Sequence, residues 1–271
     1  MIYPENSPAT REEILKLVPG VDGILWIDNQ ALNGEVLDLG APTLKAISTM
    51  SEAMNHVDIA EFKRRKFPLG YLPAGMTDDV AEVAIGLMIA AGRRFHEGRL
   101  KIECSQWVEG PQWMLGQDVK RKTIGIIGFG ELGQAIAKRL KGFDVRRILY
   151  SAKNPKPEGE KLGATLVRQS ELLKESDFVF LCVPLNKNTR HMINEKTLKE
   201  MKPTAVLINV AHGEIVDQDA LVAALKNGTI FAAGLDAMTP QPLPAESELL
   251  KLPNAGIFQI SAMLTKNFMC Y

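Results

Sequence analysis

Neither sign of charge is in excess in this chain: Lys and Arg total 32, as do Asp and Glu, so the net charge is zero. That balance removes the electrostatic reason to expect nucleic acid or an acidic membrane as a partner, and any bound anion must be held by local geometry. Cysteine is scarce. Cys104, Cys182 and Cys270 have no metal-ligand spacing and, being three, cannot all pair with one another. They fit a reducing compartment, with Cys182, inside an apolar run, as a core residue. His56, His96 and His191 have neither metal-like nor triad-like spacing, so they read as surface or packing residues and no metal site is expected. No apolar run reaches the eighteen or so residues that span a bilayer. The start, Met1-Ile2-Tyr3-Pro4-Glu5-Asn6, lacks the basic-then-apolar layout of a secretory signal. These absences together make a cytoplasmic location the expectation.

What is present is the ordinary balance of a globular protein, 46% hydrophobic and 24% charged over 271 residues, enough for two modest domains. Short β-branched runs alternate with amphipathic stretches, the pattern of a doubly wound parallel α/β sheet. Strands are predicted at Gly23–Ile27, Leu44–Ser48, Thr123–Ile127, Arg147–Tyr150, Phe178–Val183, Ala205–Val210 and Phe231–Leu235. Helices are predicted at Thr10–Leu17, with Thr10 as N-cap, and near Glu131–Leu140, Glu171–Glu175, Glu195–Met201 and Gln218–Leu225. Val80, Val83, Ala84, Leu87 and Met88 recur at helical spacing, and the predicted helix runs from Asp78 to about Cys104 as a crossover between domains.

Gly128-Phe129-Gly130-Glu131-Leu132-Gly133 is a GxGxxG set that closes one predicted strand and opens the next helix. In that setting the first glycine permits a tight turn, the second admits a pyrophosphate and the third lets helix and strand pack closely. Free amides at the helix start then face the anion. These features define a Rossmann dinucleotide site. At the end of the following strand, where an acidic residue would hold a free ribose, the chain reads Tyr150-Ser151-Ala152-Lys153-Asn154. A hydroxyl and a cation suit a 2′-phosphate, so NADP is favoured over NAD. The alternative is that Lys153 and Lys156 are simply solvated loop charges.

Several segments then resemble the D-isomer-specific 2-hydroxyacid dehydrogenases, and within them the glyoxylate/hydroxypyruvate reductase branch. They are Leu44–Ser51, Thr77–Arg94, the glycine set, Val183-Pro184-Leu185 with Thr189, Asn209–Asp217 and Ala233-Gly234-Leu235-Asp236. The resemblance implies that an Arg clamps the substrate carboxylate and polarises its carbonyl, while a His oriented by a Glu supplies the proton. It also implies cofactor contacts at Thr77 and Asp236, and a dimer contact near Trp107 and Trp113. The chain departs from that pattern where the chemistry lies. The Arg position reads His212, the Glu position Gln241 and the catalytic His position Gln259, while the carboxylate-binding turn reads Glu52-Ala53-Met54-Asn55. A positioned general acid is worth roughly 10²- to 10⁴-fold, and a glutamine cannot act as one. Histidine at 212 is shorter than arginine and lacks its planar fork.

The expected organisation is a partial substrate domain at 1–77, a dinucleotide-binding domain at 78–260 and a truncated tail at 261–271. By comparison with the family, a strand and helix are expected before Ile2 and a returning helix after Tyr271, so the smaller, flavodoxin-like substrate domain reads as incomplete. The resulting expectation is an NADP(H)-binding family member, homodimeric through the region 78–104, with hydride transfer lost or severely weakened. The alternatives are an active glyoxylate/hydroxypyruvate-type reductase acting on a 2-oxo acid with NADPH, and a fragment that does not fold.

Overall fold

A computed structural model describes residues 9–27, 30–49, 54, 56–71 and 77–257. Gln259, Cys270, the tail 261–271 and most of the turn at 52–55 lie outside the described residues. The chain divides into two compact units, Met1–Gly75 and Met76–Tyr271.

The first unit is a small α/β layer. Strands β1 (Gly23–Trp26), β2 (Ala46–Thr49) and β3 (Leu69–Tyr71) pair in parallel in that order. Helices α1 (Arg11–Leu17), α2 (Gly34–Gly40) and α3 (Ile59–Arg65) accompany them. Thr10 caps α1 as the sequence predicts: its Oγ1 accepts from Glu13 N–H, and the Glu13 carboxylate accepts from Thr10 N–H at 2.8 Å. Each half of that box satisfies an amide that the helix start leaves open. The core gathers Trp26, Leu32, Val36, Leu37, Ile47 and Phe62.

The second unit begins with helices α4 (Thr77–Gly92) and α5 (Phe95–Glu103). It then runs β4 (Thr123–Ile127), α6 (Glu131–Leu140), β5 (Arg147–Ser151), α7 (Pro157–Leu162), β6 (Ala164–Leu166), α8 (Gln169–Glu175) and β7 (Phe178–Leu181). After these come α9 (Glu195–Glu200), β8 (Val206–Asn209), α10 (Gln218–Lys226), β9 (Ala232–Leu235) and β10 (Ala255–Ile257). The seven strands are all parallel, in the order β10-β9-β8-β7-β4-β5-β6. That is a doubly wound Rossmann sheet, whose strand order reverses between β4 and β7.

Period-two alternation sends the strand side chains to two cores. Ile124, Ile126, Phe178, Phe180, Val206 and Ile208 pack with Ala84, Leu87 and Met88 of α4 and Ile136, Ala137 and Leu140 of α6. Val179, Leu181, Leu207, Ala233 and Leu235 pack on the other face with Leu172, Leu198, Leu221 and Leu225 from α8, α9 and α10. With both faces covered, these central strands read as unbroken apolar runs. Among the described residues no helix is long and apolar enough to cross a membrane.

The single helix predicted from Asp78 to Cys104 is two. Arg94 takes a left-handed backbone (φ 58), and the Gly92 carbonyl accepts the Gln117 N–H at 2.7 Å instead of continuing the ladder. The Arg94 guanidinium then grips Glu97 through two bonds of 2.9 and 2.7 Å, fixing the start of α5. Apolar spacing misleads here because it continues past the break, yet α5 has no buried residue. Phe95 and Ile102 stay exposed. Strand β2 starts two residues later than predicted, since Leu44 and Lys45 bond back to Gly40 and Asp22. The remaining strand and helix ends coincide with the prediction or shift by one or two residues, and β4 and α6 match their predicted spans.

Candidate cofactor site

The glycine loop sits at the switch point of the sheet. Gly128, directly after β4, has φ +92, and a Cβ there would lie 2.4 Å from the Cys182 carbonyl oxygen at the end of β7. Gly128 N–H donates to Ser151 O at 2.9 Å and Cys182 N–H to Ile127 O at 2.8 Å, so three strand ends are laced together beneath the loop. Gly133, on the first turn of α6, would place a Cβ 2.4 Å from Gly128 O. Gly130 differs: a Cβ there would meet nothing within 4 Å. It is the N-cap of α6 and provides no side-chain cap bond, so the leading amides of a ten-residue helix are left without an N-cap partner. A closed floor, an open front and uncapped amides fit a pyrophosphate.

Beside the loop lies a cavity of about 650 Å³. Ile127, Val183, Leu166 and Met192 give it apolar walls that suit a base, and Ser151, Lys153, Arg168 and Glu171 give it polar ones. Ser151 is half-buried as the last residue of β5, and Lys153 is exposed just beyond it. Sequence reading placed both here and missed Arg168, which precedes α8 fifteen residues after Lys153. The signal was a cation immediately before a helix, following a strand that was itself not predicted. In the core shared with α4 and α6, Phe129 and Tyr150 stack with centroids 4.2 Å apart, and the Tyr150 hydroxyl accepts the Lys156 N–H at 3.1 Å. Burial pushes the Cys182 thiol far up, so it stays protonated.

His212 lies on another loop, after β8. Asn209, buried at the end of that strand, organises it: Nδ2 donates to His212 O (3.0 Å) and Ala237 O (3.2 Å), and Oδ1 accepts Ala211 N–H (3.1 Å). Gly213 runs so close to the next loop that a Cβ would be 2.2 Å from Met238 O. Asp236 is buried there, its N–H donating to Asn209 O at 2.9 Å. The His212 ring is half-buried, and that burial lowers its pKa below 6.5, with Glu214 opposing. It is therefore neutral at pH 7. Glu214 itself pairs with Arg190 at 2.7 Å. Gln241, exposed, follows two residues after Thr239, whose N–H donates to Gln218 Oε1 at 3.0 Å.

The site residues proposed from sequence thus fall into groups. Gly128, Gly130 and Gly133 form the loop, and Ser151 and Lys153 share the adjoining cavity. Asp236 and the backbone of His212 meet through Asn209. Thr77 is the half-buried first residue of α4 and does not line the cavity; its neighbour Asp78 pairs with Arg139 at 2.9 Å. Trp107 and Trp113 stack with centroids 6.0 Å apart. Trp113 borders a second hollow, of about 580 Å³, against Phe95, Gly98 and Ile102 of α5. Among the described residues no group of three or more His, Cys, Asp or Glu could hold a metal.

Strand order, cradle and uncapped helix define a nucleotide-binding Rossmann domain. Comparison with known proteins narrows the class. The profile of the D-isomer specific 2-hydroxyacid dehydrogenase NAD-binding domain matches residues 85–258. A glyoxylate reductase of Thermococcus kodakarensis is 42% identical over 259 residues, covering 93% of this chain and 77% of that protein. The human glyoxylate reductase/hydroxypyruvate reductase is 38% identical over 257 residues, covering 94% and 78%. A solved structure from Thermus thermophilus superposes with a TM-score of 0.88 at 36% identity, covering 95% and 81%. The chain belongs to the D-isomer-specific 2-hydroxyacid dehydrogenase family.

Proposed function

We propose that this chain binds NADP(H) and has lost, or severely weakened, the hydride transfer of its family. The observation that carries the reading is a glycine cradle of dinucleotide-binding form in a chain that has His212, its pKa lowered by burial, where the family resemblance implies an arginine. A neutral imidazole cannot form the charge-assisted fork that holds a carboxylate. Gln241 and Gln259, at the positions of the orienting Glu and the catalytic His, neither hold nor give up a proton near pH 7. The pyrophosphate would rest on Gly130 and the leading amides of α6, and the ribose and base in the adjoining cavity. When bound, the reduced nicotinamide is the hydride source.

The rival reading is a working reductase of 2-oxo acids with NADPH, favoured by the 42% identity to a protein named glyoxylate reductase. A second part of the proposal is that two copies associate through the α5 face. There Phe95, Ile102, Trp107, Val108 and Leu115 are all more than half exposed, an apolar patch that a monomer would leave in water. Mixing the purified chain with NADPH and excess hydroxypyruvate, while following cofactor absorbance and tryptophan quenching together, separates the readings. Quenching without loss of absorbance supports the proposal. Steady oxidation at an ordinary enzyme rate overturns it.

A further inference from the structure

We propose that Arg168 is the residue that selects the cofactor, its guanidinium combining with Lys153 and Ser151 to hold the 2′-phosphate of an adenine ribose. The inference rests on the NADP(H) reading above and assigns its discrimination to a residue outside the strand end where such selection is ordinarily sought. Three observations support it. Arg168 and Lys153 come from different connections, after β6 and after β5, yet line the same cavity as the half-buried Ser151 hydroxyl. Among the described residues neither cation has an ion pair or hydrogen-bonding partner, although seventeen ion pairs occur elsewhere. Arg168 also stands at the N-cap of α8 in extended backbone and makes no cap bond, so its identity there is not explained by the helix.

The chemistry favours arginine over a second lysine. A planar guanidinium presents paired donors that match two phosphate oxygens, whereas an ammonium acts as a point charge. Among the described residues Glu171 is the one carboxylate lining the cavity, and it works against any phosphate bound there. Two cations against one carboxylate leave the cavity positive, enough to reward a phosphate dianion but not a bare hydroxyl.

The test uses the full chain and reads binding alone. Calorimetric titration with 2′,5′-ADP and with 5′-ADP, and with NADPH and NADH, is run on wild type, Arg168→Gln and Glu171→Gln. Arg168→Gln is expected to weaken 2′,5′-ADP and NADPH about tenfold to a hundredfold, the range for charge-assisted bonds to one phosphate, and to leave 5′-ADP and NADH unchanged. Glu171→Gln is expected to tighten the two 2′-phosphate ligands a few-fold, and 0.5 M salt to shrink both effects. A wild type that binds NADH as tightly as NADPH sinks the NADP(H) reading itself. A wild type that prefers NADPH while Arg168→Gln keeps the same preference overturns only the assignment of Arg168. Equal weakening of all four ligands also overturns it, since that reports damage to the cavity rather than lost discrimination.

Discussion

Replacing His212 with arginine tests whether a missing carboxylate clamp, rather than a distorted loop, limits this site. The loop path is set by backbone. Asn209 holds the His212 carbonyl at 3.0 Å and the Ala211 amide at 3.1 Å, and Gly213 is wedged against Met238. None of these contacts uses the imidazole, so the side chain can change without re-routing the chain. The wild-type ring is neutral at pH 7 because burial lowers its pKa, whereas an arginine there is charged at every accessible pH. Hydrogen bonds to a charged group contribute about 1.5–3 kcal/mol, roughly a tenfold to hundredfold gain in carboxylate affinity. Glu214 competes weakly, being already paired with Arg190 in a partly exposed bridge, the kind worth about 0–1 kcal/mol. The assay is calorimetric binding of oxamate, a 2-oxo acid isostere that hydride does not reduce, to NADPH-saturated protein. His212→Arg should bind oxamate tenfold to a hundredfold tighter than wild type. Adding Gln241→Glu and Gln259→His should then raise kcat by a further ~10²–10⁴, the usual worth of a positioned general acid. Unchanged oxamate affinity in His212→Arg would refute the clamp reasoning. A wild type turning over at the common 1–10³ s⁻¹ would refute it more directly.

Three further outcomes follow from the same geometry. His212 has a folded pKa below 6.5, so as pH falls the unfolded chain takes up its proton first. Its stabilising contribution is therefore full above 6.5 and lost between there and the depressed value; by NMR the ring should titrate below 6.5, and His212→Gln should flatten the stability loss in that window. Asn209→Ala removes three hydrogen bonds from a buried residue, leaving two carbonyls and an amide without that partner. A denaturant melt should show about 1–3 kcal/mol less stability per buried group left unsatisfied, and an unchanged midpoint would contradict the scaffold role. Ile102→Glu on the exposed face of α5 should shift a dimer to monomer in sedimentation, with the far-ultraviolet circular dichroism spectrum preserved; a wild type that is already monomeric at tens of micromolar removes the proposed interface.

The glycine loop and α6 were legible because their signals are local: three glycines at fixed offsets, then Ile136, Ala137 and Leu140 repeating on one face. The large sheet was legible because strands buried on both faces read as apolar runs. The break at Arg94 was not, because it depends on Gln117, twenty-three residues away, capturing the Gly92 carbonyl. Helix α7 and strand β6 are too short for periodicity, though Pro157 at the helix start and Gly163 at φ 70 after its end were readable punctuation. Arg168 could not be joined to Lys153 by spacing alone; only the parallel pairing of β5 with β6 brings their connections to one cavity.

The three glycines do not speak equally for a ligand, and that difference supplies a last test. Gly128 combines a positive φ with a Cβ position 2.4 Å from backbone, and Gly133 has the same close approach. Both let β4, β7 and α6 approach closely, so packing alone accounts for them, whether or not the chain binds a cofactor. Gly130 has φ −75 and empty space where a Cβ would go. Neither packing nor backbone demands a glycine there, which leaves the approach of a ligand as the physical reason for one. Gly130→Ala should therefore fold normally, losing up to about 1 kcal/mol from a poorer N-cap. It should nonetheless bind NADPH at least tenfold more weakly, because the added methyl stands where the pyrophosphate must come against the backbone. Gly133→Ala should instead lose stability by about 1–3 kcal/mol, the usual range for an overpacked core, before any ligand is added. If Gly130→Ala binds NADPH as well as wild type does, the open front of the loop is not the phosphate site, and the cradle is a feature of packing alone.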